Sequence, residues 1–288
     1  MPATVAASGR STARASDSRS AAEIGRRAAL DLVFAVRRGR TVLTHGYAEP
    51  PFRAGRLFDR GPLAHLMLVW CGPGIFAGDR LTQRIRVERG AHVLLVSQAA
   101  LQVHPSDAAD PAFLDSSFDV DEEASLDCFW DPLIPFAGAR VRQRTEIRIG
   151  AGGQLFWSDA LMSGRASRGE AWRFETLDHE LRVSVGGSLT YLERYVLEPG
   201  ARGLQHPWRA GAADYIGTTI VCGESASVAR AEEAQQRLAS IESVRAGVDS
   251  PSPNLIVGRV LGERGPQFAA ARAILRNVFD RPRLRKQS

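Results

Sequence analysis

Residues 81–96 of the chain read LTQRIRVERGAHVLLV, and this stretch decides the fold class. Leu81, Ile85 and Val87 occupy odd positions, with charged or polar residues between them. A period of two is typical of a strand that buries one face and wets the other. The pair Arg89-Gly90 is a turn signal, and the residues that follow are again largely apolar. The stretch therefore predicts a β-hairpin with one solvated face.

The alternation continues from Leu30 to about Cys222, with a turn signal roughly every 8–12 residues, which is typical of a many-stranded antiparallel structure. Between Arg140 and Ile149 it places a row of arginines on one face. We interpret that row as a solvated sheet face, with a docking surface for an acidic partner as the alternative. Further strands are predicted at 30–36, 41–48, 64–71, 124–130, 153–159, 170–176, 181–186, 188–196 and 214–222.

Helical spacing appears only near the C-terminus. Residues 226–246 place small and apolar side chains on one stripe, and Gly247 follows as a helix stop. A second helix is predicted at 266–280, with Pro266 in its first turn and Pro282 beyond its end. The sequence thus predicts an all-β body followed by two α-helices.

Composition sets the broad class. The chain has 288 residues, of which 44% are hydrophobic and 24% charged, as in ordinary globular proteins. We expect one domain over 29–288, preceded by a disordered extension over 1–28, for which a transit peptide is the alternative. No apolar run reaches the roughly 18–20 residues that cross a bilayer, so we expect no membrane span. Three scattered cysteines indicate a reducing compartment, which favours a cytoplasmic protein.

The net charge of +5 raises the question of nucleic-acid binding. The positive excess lies in the two ends of the chain, whereas the body between them is slightly acidic. A body that grips phosphates needs clustered positive charge, so we predict no nucleic-acid partner.

Signatures of catalysis and of tight metal binding are absent from the sequence. It contains no nucleophile elbow, phosphate-binding loop or zinc-protease motif, and its six histidines are scattered. Residues 107–131 contain nine carboxylates and no base, without the spacing of a calcium loop. We predict that this segment is a solvated acidic edge, which self-repulsion keeps from pairing with another sheet.

Several polar residues stand in apolar or glycine-rich surroundings. Because buried charges must be paired, hydrated or functional, they are the candidate functional residues. Two arginines close to them would either serve the site or clamp Asp159 or Glu170 in a structural network. The candidates are Asp79, Gln98, Asp131, Asp159 and Glu170, with Arg165 and Arg168 as the supporting arginines.

Four segments resemble, in order, the motifs of the UreD (also called UreH) family of urease accessory proteins. They are 72–81 (GPGIFAGDRL) together with the preceding 51–60 (PFRAGRLFDR), 94–100 (LLVSQAA), 131–140 (DPLIPFAGAR) and 164–170 (GRASRGE). The family's Q-A-A-T-K-V-Y strand appears here as QAALQVH, so His104 stands where the family has tyrosine. The family's L-E-x-L-P likewise becomes LDCFW, with Asp127 in place of the glutamate.

This resemblance implies a β-helix-like all-β body with added helices and a role without catalysis. It implies that UreF and the GTPase UreG are partners, that the assembly docks on urease apoprotein, and that it supports nickel delivery to the urease active site. It also implies a water-filled tunnel for the ion. We expect the two C-terminal helices to offer an apolar stripe to UreF; the alternative is that they cover an open end of the β body.

A conduit must hold its ion weakly and at several places, because a tight site would trap it. We therefore expect no tightly bound cofactor, only nickel in transit. The hypothesis from sequence is that Asp79, Gln98, Asp131, Asp159 and Glu170 include the lining of such a path, with Arg165 and Arg168 holding carboxylates in place. Two alternatives stay open: a β-helix hydrolase that uses Asp131, Asp159 or Glu170 as its acid and base, and a plain structural or ligand-binding β protein.

Overall fold

A computed structural model describes residues 25–60, 62–105, 110–207 and 209–280. Most of the predicted extension lies outside the described residues. Asp107 and residues 281–288 lie outside them as well. The first strand begins at Arg27, close to the predicted start of the domain at residue 29.

Strands make up most of the described chain, and the helices lie toward its C-terminus. The helices are α1 (Pro199–Arg202), α2 (Val228–Leu238) and α3 (Gly265–Val278), and a 3-10 turn spans Ala166–Arg168. The strands are β1 (Arg27–Arg37), β2 (Arg40–Ala48), β3 (Phe52–Arg60), β4 (Leu63–Trp70), β5 (Arg80–Val87), β6 (His92–Ser97), β7 (Leu101–Val103), β8 (Ala112–Val120), β9 (Ser125–Phe129), β10 (Leu133–Pro135), β11 (Arg140–Ile149), β12 (Gln154–Met162), β13 (Thr176–Val185), β14 (Ser188–Leu197), β15 (Tyr215–Cys222), β16 (Val244–Ser252) and β17 (Leu255–Gly262).

Two sheets face each other across the main core. The seven-stranded sheet has the order β14-β13-β11-β8-β5-β1-β2. The ten-stranded sheet has the order β16-β17-β15-β12-β9-β6-β4-β3, with β10 beside β12 and β7 beside β10. From β4 to β13 the chain passes repeatedly from one sheet to the other, as in a solenoid. The expectation of an all-β, β-helix-like body with C-terminal helices is thus confirmed.

The expectation of an antiparallel body is wrong for its centre. Strands β1, β5, β8, β11 and β13 pair in parallel, as do β4, β6, β9 and β12. Antiparallel pairs lie toward the edges, such as β1 with β2 and β13 with β14. A strand that buries one face alternates in the same way in either kind of sheet, so periodicity does not reveal strand direction.

The predicted hairpin at 81–96 is one of these errors. Strands β5 and β6 belong to different sheets, and the turn between them is a corner rather than a hairpin loop. The corner brings Ile85 and Val87 of one sheet into the same core as Val93 and Leu95 of the other. Because the two strands lie in different sheets that face each other, each buries its apolar face against the other sheet.

The acidic segment is not an edge. Strand β8 lies at the centre of its sheet, between the arginine-rich strands β5 and β11. On the outer face Asp119 accepts a hydrogen bond from Arg148 Nε at 2.7 Å, and Asp121 pairs with Arg86 at 3.0 Å. The arginine row of β11 lies on this solvated outer face, as predicted. Self-repulsion did not keep the acidic strand from pairing, because both of its neighbours supply the opposite charge.

The C-terminal helices cover the outer face of the ten-stranded sheet. Phe268 and Leu275 of α3 and Leu238 of α2 form a second core with Phe156 and Val221 of the sheet. The apolar stripe that we expected to face UreF is therefore buried within the chain, which is the alternative left open from the sequence.

Several element boundaries differ from prediction. The helix predicted over 226–246 ends at Leu238, and residues 244–252 form strand β16. Val244, Ala246 and Val248 alternate with exposed residues, and this period of two prevails over the helical reading. Residues 170–175, predicted as a strand, form a connection instead. The second helix is close to its prediction, spanning 265–278 instead of 266–280.

Candidate functional site

The long connections of the solenoid gather at one end of the body, which we call the loop end. It consists of residues 71–79, 98–105, 130–139 and 163–175, through which the chain leaves the ten-stranded sheet for the seven-stranded one. Because the central strands run in parallel, these crossings share one end, whereas the returns are short turns at the other. The four family-like segments all reach this end, although they lie far apart in sequence.

Asp79 is a buried anchor of the loop end. Its carboxylate, 2% exposed, accepts hydrogen bonds from Arg26 Nη2 at 2.6 Å and from the backbone N–H groups of Arg26 and Phe76 at 2.7 and 3.0 Å. Burial alone would raise the pKa of Asp79, but these hydrogen bonds outweigh it and the pKa is lowered. Arg26 also donates to Gly74 O at 2.9 Å, so one ion pair holds the glycine-rich turn.

Gly74 shows why that turn needs glycine. It adopts φ 130°, and a Cβ there would lie 2.4 Å from Gln102 O. The turn therefore packs directly on the backbone of the neighbouring segment.

A row of stacked side chains joins the separate segments of the loop end. Arg26 lies over the Phe76 ring, which stacks on His104 at 4.4 Å between centroids. His104 meets the edge of Phe136 at 5.1 Å, and Arg165 lies 4.0 Å above the Phe136 ring. Cation–π and aromatic contacts thus connect all the crossings. His104 is the aromatic ring at the middle of this row.

Glu170 is held at the end of the row by Arg165. Arg165 donates to the two carboxylate oxygens of Glu170 at 2.7 and 2.6 Å, a bidentate pair that lowers the pKa of Glu170. The exposed Arg168 lowers it further through its charge. Arg165 therefore clamps Glu170, and it does not contact Asp159 through any ion pair of the described residues.

A cavity lies between the two sheets next to the loop end. Its volume open to water is about 90 Å³, and one ordered water needs about 10–15 Å³ on this measure, so several waters fit. Phe52, Trp70, Phe118, Trp130 and Trp157 form aromatic walls. The polar lining consists of Arg53, Gln83, Ser97, Ser116, Asp131, Gln143, Thr145 and Asp159.

Two of the five candidate residues, Asp131 and Asp159, line this cavity. Asp79 and Glu170 lie outside the lining, and Gln98 is exposed in the bend after β6. Asp131 is positioned by Ser97, whose hydroxyl donates to Oδ2 at 2.9 Å and accepts from the Asp131 backbone N–H at 2.7 Å.

Asp159 is the less satisfied of the two carboxylates. Among the described residues it accepts one hydrogen bond, from Trp157 Nε1 at 3.1 Å. Asp159 is half-buried and lines the cavity. Burial raises the pKa of Asp159, and the nearby charges of His179 and Arg272 only partly oppose this. A carboxylate with so few partners needs water, a proton or a cation.

Sequence reasoning missed Arg272 of helix α3, which is 4% exposed. Its Nη2 donates to Trp130 O at 2.7 Å and to Ser158 O at 3.2 Å, and its guanidinium lies 4.2 Å above the Phe129 ring. Burial lowers its pKa to about 10. Arg272 thus ties α3 to the backbone beside Asp131 and Asp159. The sequence did contain a signal for Arg272, because this charged residue lies on the same helical stripe as the apolar Phe268 and Leu275.

Sequence reasoning also missed a polar cluster next to Asp159. His179 is buried and contacts Gln143 Oε1 through Nδ1 at 3.2 Å. Glu193 is buried as well and forms an ion pair with Arg259. The signal for Glu193 was its place between Tyr191 and Tyr195 on one strand face. Across the described ranges, no three His, Cys, Asp or Glu side chains are close enough to hold a metal ion.

Together, the fold and the site define a class of protein. It is a β-helix-like protein of two sheets, and helices cover the outer face of one of them. Stacked side chains join its loop end, and a polar cavity large enough for several waters lies beside that end. A family profile described as UreD urease accessory protein matches residues 26–287. The chain belongs to the UreD family of urease accessory proteins.

Individual relatives support the same assignment. The chain is 34% identical over 199 residues to the urease accessory protein UreD of Sorangium cellulosum, covering 69% of this chain and 62% of that protein. It is 30% identical over 257 residues to the UreD of Cupriavidus pinatubonensis, covering 86% of each. With the Deinococcus radiodurans UreD the identity is 31%, over 69% of this chain and 72% of the relative. None of the described helices is long and apolar enough to cross a membrane.

Proposed function

We propose that this chain is a scaffold in urease maturation that performs no catalysis itself. With UreF and UreG it would dock on urease apoprotein and support delivery of nickel to the urease active site, in the cytoplasm. The observation that supports this most is the polar cavity of a UreD-family body, where Asp131 and Asp159 act as separate carboxylates. Single oxygen ligands bind Ni²⁺ weakly and release it, which suits an ion in transit.

The path proposed here is narrower than the one predicted from sequence. Asp131 and Asp159 are its ligands, because both line the cavity. Asp79 and Glu170 each hold an arginine, so we assign them to the integrity of the loop end. Gln98 lies on the surface beside Ser97, so in this proposal it contacts an ion only at the entrance to the path. No resident metal or cofactor is part of this proposal.

The test replaces each cavity carboxylate by its amide. Asp131→Asn and Asp159→Asn are co-expressed with the urease subunits and the other accessory proteins, and urease activity and bound nickel are measured. We expect both to fall while UreF is still captured, because an amide keeps the shape but loses the charge that attracts Ni²⁺. Asp115→Asn, the same change at an exposed position, is the matched control. Normal nickel loading in both cavity variants would remove them from the path.

We infer that UreF contacts the outward faces of α2 and α3, since their inward faces cover the sheet. Val228 of α2 is 60% exposed and is the apolar side chain best placed for such a contact. Val228→Glu should abolish UreF capture, whereas Leu189→Glu, an equally exposed position on strand β14, should not. Equal capture by both variants would exclude this surface.

The hydrolase alternative loses Glu170, one of its three candidate carboxylates. Glu170 is held by Arg165 outside the cavity, and its lowered pKa disfavours a role as a general acid. A plain ligand-binding protein would leave nickel loading of urease unchanged in every variant above.

A further inference from the structure

Positive charge collects at one level of the outer face of the seven-stranded sheet, next to the loop end. Arg27 of β1 is in register with Arg80 of β5. Phe113 of β8 lies at the same level, between Arg80 and Arg142 of β11. Each of the four stands beside a core residue in its own strand, so its side chain lies on the solvated face. We call Arg27, Arg80, Phe113 and Arg142 the basic patch.

Among the described residues, the carboxylate at this level does not balance its arginines. Asp178 of β13 is level with Arg142, but it also accepts hydrogen bonds from Arg144, so two guanidiniums share one carboxylate. The next level of the same face differs, because Asp115 and Glu180 lie on either side of Arg144 there. An excess of positive charge therefore lies at the end of the sheet beside the loop end.

The backbone of the loop end holds Arg27 and Arg80 side by side. The N–H of Arg80 donates to Arg26 O at 2.8 Å, and the N–H of Phe113 donates to Asp79 O at 2.7 Å. The ion pair between Arg26 and Asp79 fixes the residues that precede the two arginines. Like charges directly opposite each other on neighbouring strands are destabilising. The fold thus keeps an unfavourable pair in place, and this pair is pre-organised for a group of opposite charge.

The centre of the basic patch has the chemistry of a protein interface. Arg80 is exposed, forms no ion pair with a described residue, and lies 4.1 Å above the Phe113 ring. Arg142 lies 5.6 Å from the centroid of the same ring. Arginine and aromatic residues are enriched where protein interfaces bind most strongly. A guanidinium stacked on a ring keeps the N–H donors at its edge, where they can bind a carboxylate through two hydrogen bonds.

We propose that the basic patch docks an acidic, extended segment of a partner protein. Neighbouring strands lie about 4.8 Å apart, so the patch is about 14 Å wide, which an extended chain crosses in four to five residues at about 3.3 Å each. Alternate side chains of such a segment face the sheet. An acidic residue then meets Arg27 and Arg80, an apolar residue covers Phe113, and a second acidic residue meets Arg142.

The competing explanation is a basic surface that only water covers. In that case the affinity for an acidic peptide follows the net charge of the chain, whichever arginine is removed. A nucleic acid is a poorer match than an acidic segment, because carboxylates follow at the next level of the face. The patch lies on the sheet that α2 and α3 do not cover and outside the cavity lining, so this proposal does not rest on the proposed function.

The experiment measures docking by the fluorescence anisotropy of a fluorescein-labelled peptide with the repeat Glu-Ser-Val-Ser, added to the purified full chain. The double variant Arg27→Met with Arg80→Met should weaken binding by about tenfold or more, since charge-assisted contacts are lost while the apolar stems are kept. The matched control is Arg37→Met with Arg84→Met, which removes one exposed arginine from each of the same two strands, away from the patch. It should bind within about twofold of the wild type.

Thermal unfolding shows whether each variant is folded. If the double variant is not, Arg80→Lys decides, because it keeps the charge but loses the planar fork, and it should weaken binding by about threefold. Wild-type binding that is absent, or equal for a peptide with Gln in place of Glu, would overturn the proposal. Equal weakening in the two double variants would overturn it as well. An oligothymidine that binds the chain and loses as much affinity in the Arg27 and Arg80 variant would assign the patch to nucleic acid instead.

Discussion

In the cavity wall, the requirements of stability and of the proposed function conflict at single side chains. Asp159 has one hydrogen bond and lies among aromatic residues, so its charged form is costly in the folded state. Arg272 stabilises the wall from the other side by satisfying the carbonyls of Trp130 and Ser158. The proposed function thus depends on a carboxylate whose charged form the fold destabilises.

Asp159→Asn should stabilise the chain at neutral pH. The folded-state pKa is raised above the ordinary 3.8, so the carboxyl favours folding when protonated, and that contribution is lost as pH rises through the folded pKa. We expect the variant to raise the free energy of unfolding by about 1–2 kcal/mol at pH 8, the usual scale for an under-satisfied buried group, and by much less near pH 4. Urea unfolding at both pH values measures this, and an equal effect at both would contradict it.

Arg272→Met should destabilise the chain by about 1–3 kcal/mol, because the Trp130 carbonyl loses its donor and Ser158 loses the guanidinium contacts, while the apolar stem is kept. Arg272→Lys keeps the charge but not the planar geometry and should recover only part of the loss. Thermal unfolding followed by circular dichroism gives both values. A Met variant as stable as the wild type would show that water replaces the guanidinium.

At the scale of elements, charge helps to select which strands lie side by side. The acidic strand β8 lies between the basic strands β5 and β11, and Arg144 of β11 pairs with Asp178 of β13 at 2.8 Å. The register places Asp119 of β8 level with Arg148 and Asp178 level with Arg142, so Arg144 reaches Asp178 diagonally. Hydrophobic alternation alone would allow several strand orders, and complementary charge on the outer face disfavours the wrong ones.

Reversing one charge of this face tests the idea. Asp119→Arg places a third positive charge beside Arg86 and Arg148, and we expect a loss of about 1 kcal/mol, given the exposure of the face. The double variant Asp119→Arg with Arg148→Asp should recover part of the loss, as a double-mutant cycle in urea measures. The cycle should weaken in 1 M salt, at roughly a threefold shorter screening length. Strict additivity would show that the pair contributes nothing.

The whole molecule should lose stability in acid through the carboxylates that arginines hold. Asp79 and Asp178 have pKa values below the ordinary 3.8, so each favours folding above that value, and the contribution is lost as pH falls through the folded pKa. We expect the free energy of unfolding to fall steeply below about pH 4, with Asp79→Asn less stable than the wild type at pH 7 but converging with it toward pH 2.5. Parallel curves down to pH 2.5 would contradict this.

Much of this protein was determined by local sequence. A period of two predicts strands wherever one face is buried, and a helical stripe predicts α3, because both patterns follow from backbone geometry alone. The segments containing Asp79, Asp131 and Glu170 also pointed to the region that became the loop end. Strand direction, the corner after β5 and the central place of β8 could not be predicted, since each depends on which distant strand lies alongside.

For the candidate site, too, the sequence determined one part and the tertiary structure the other. Sequence identified Asp131 and Asp159 as polar residues in apolar surroundings, but it did not separate them from Asp79 and Glu170, which prove to be held by Arg26 and Arg165. Only the tertiary structure decided which carboxylates face the cavity. The physical reason is that burial and ion pairing are properties of the surroundings, and in a two-sheet solenoid those surroundings come from strands far apart in the chain.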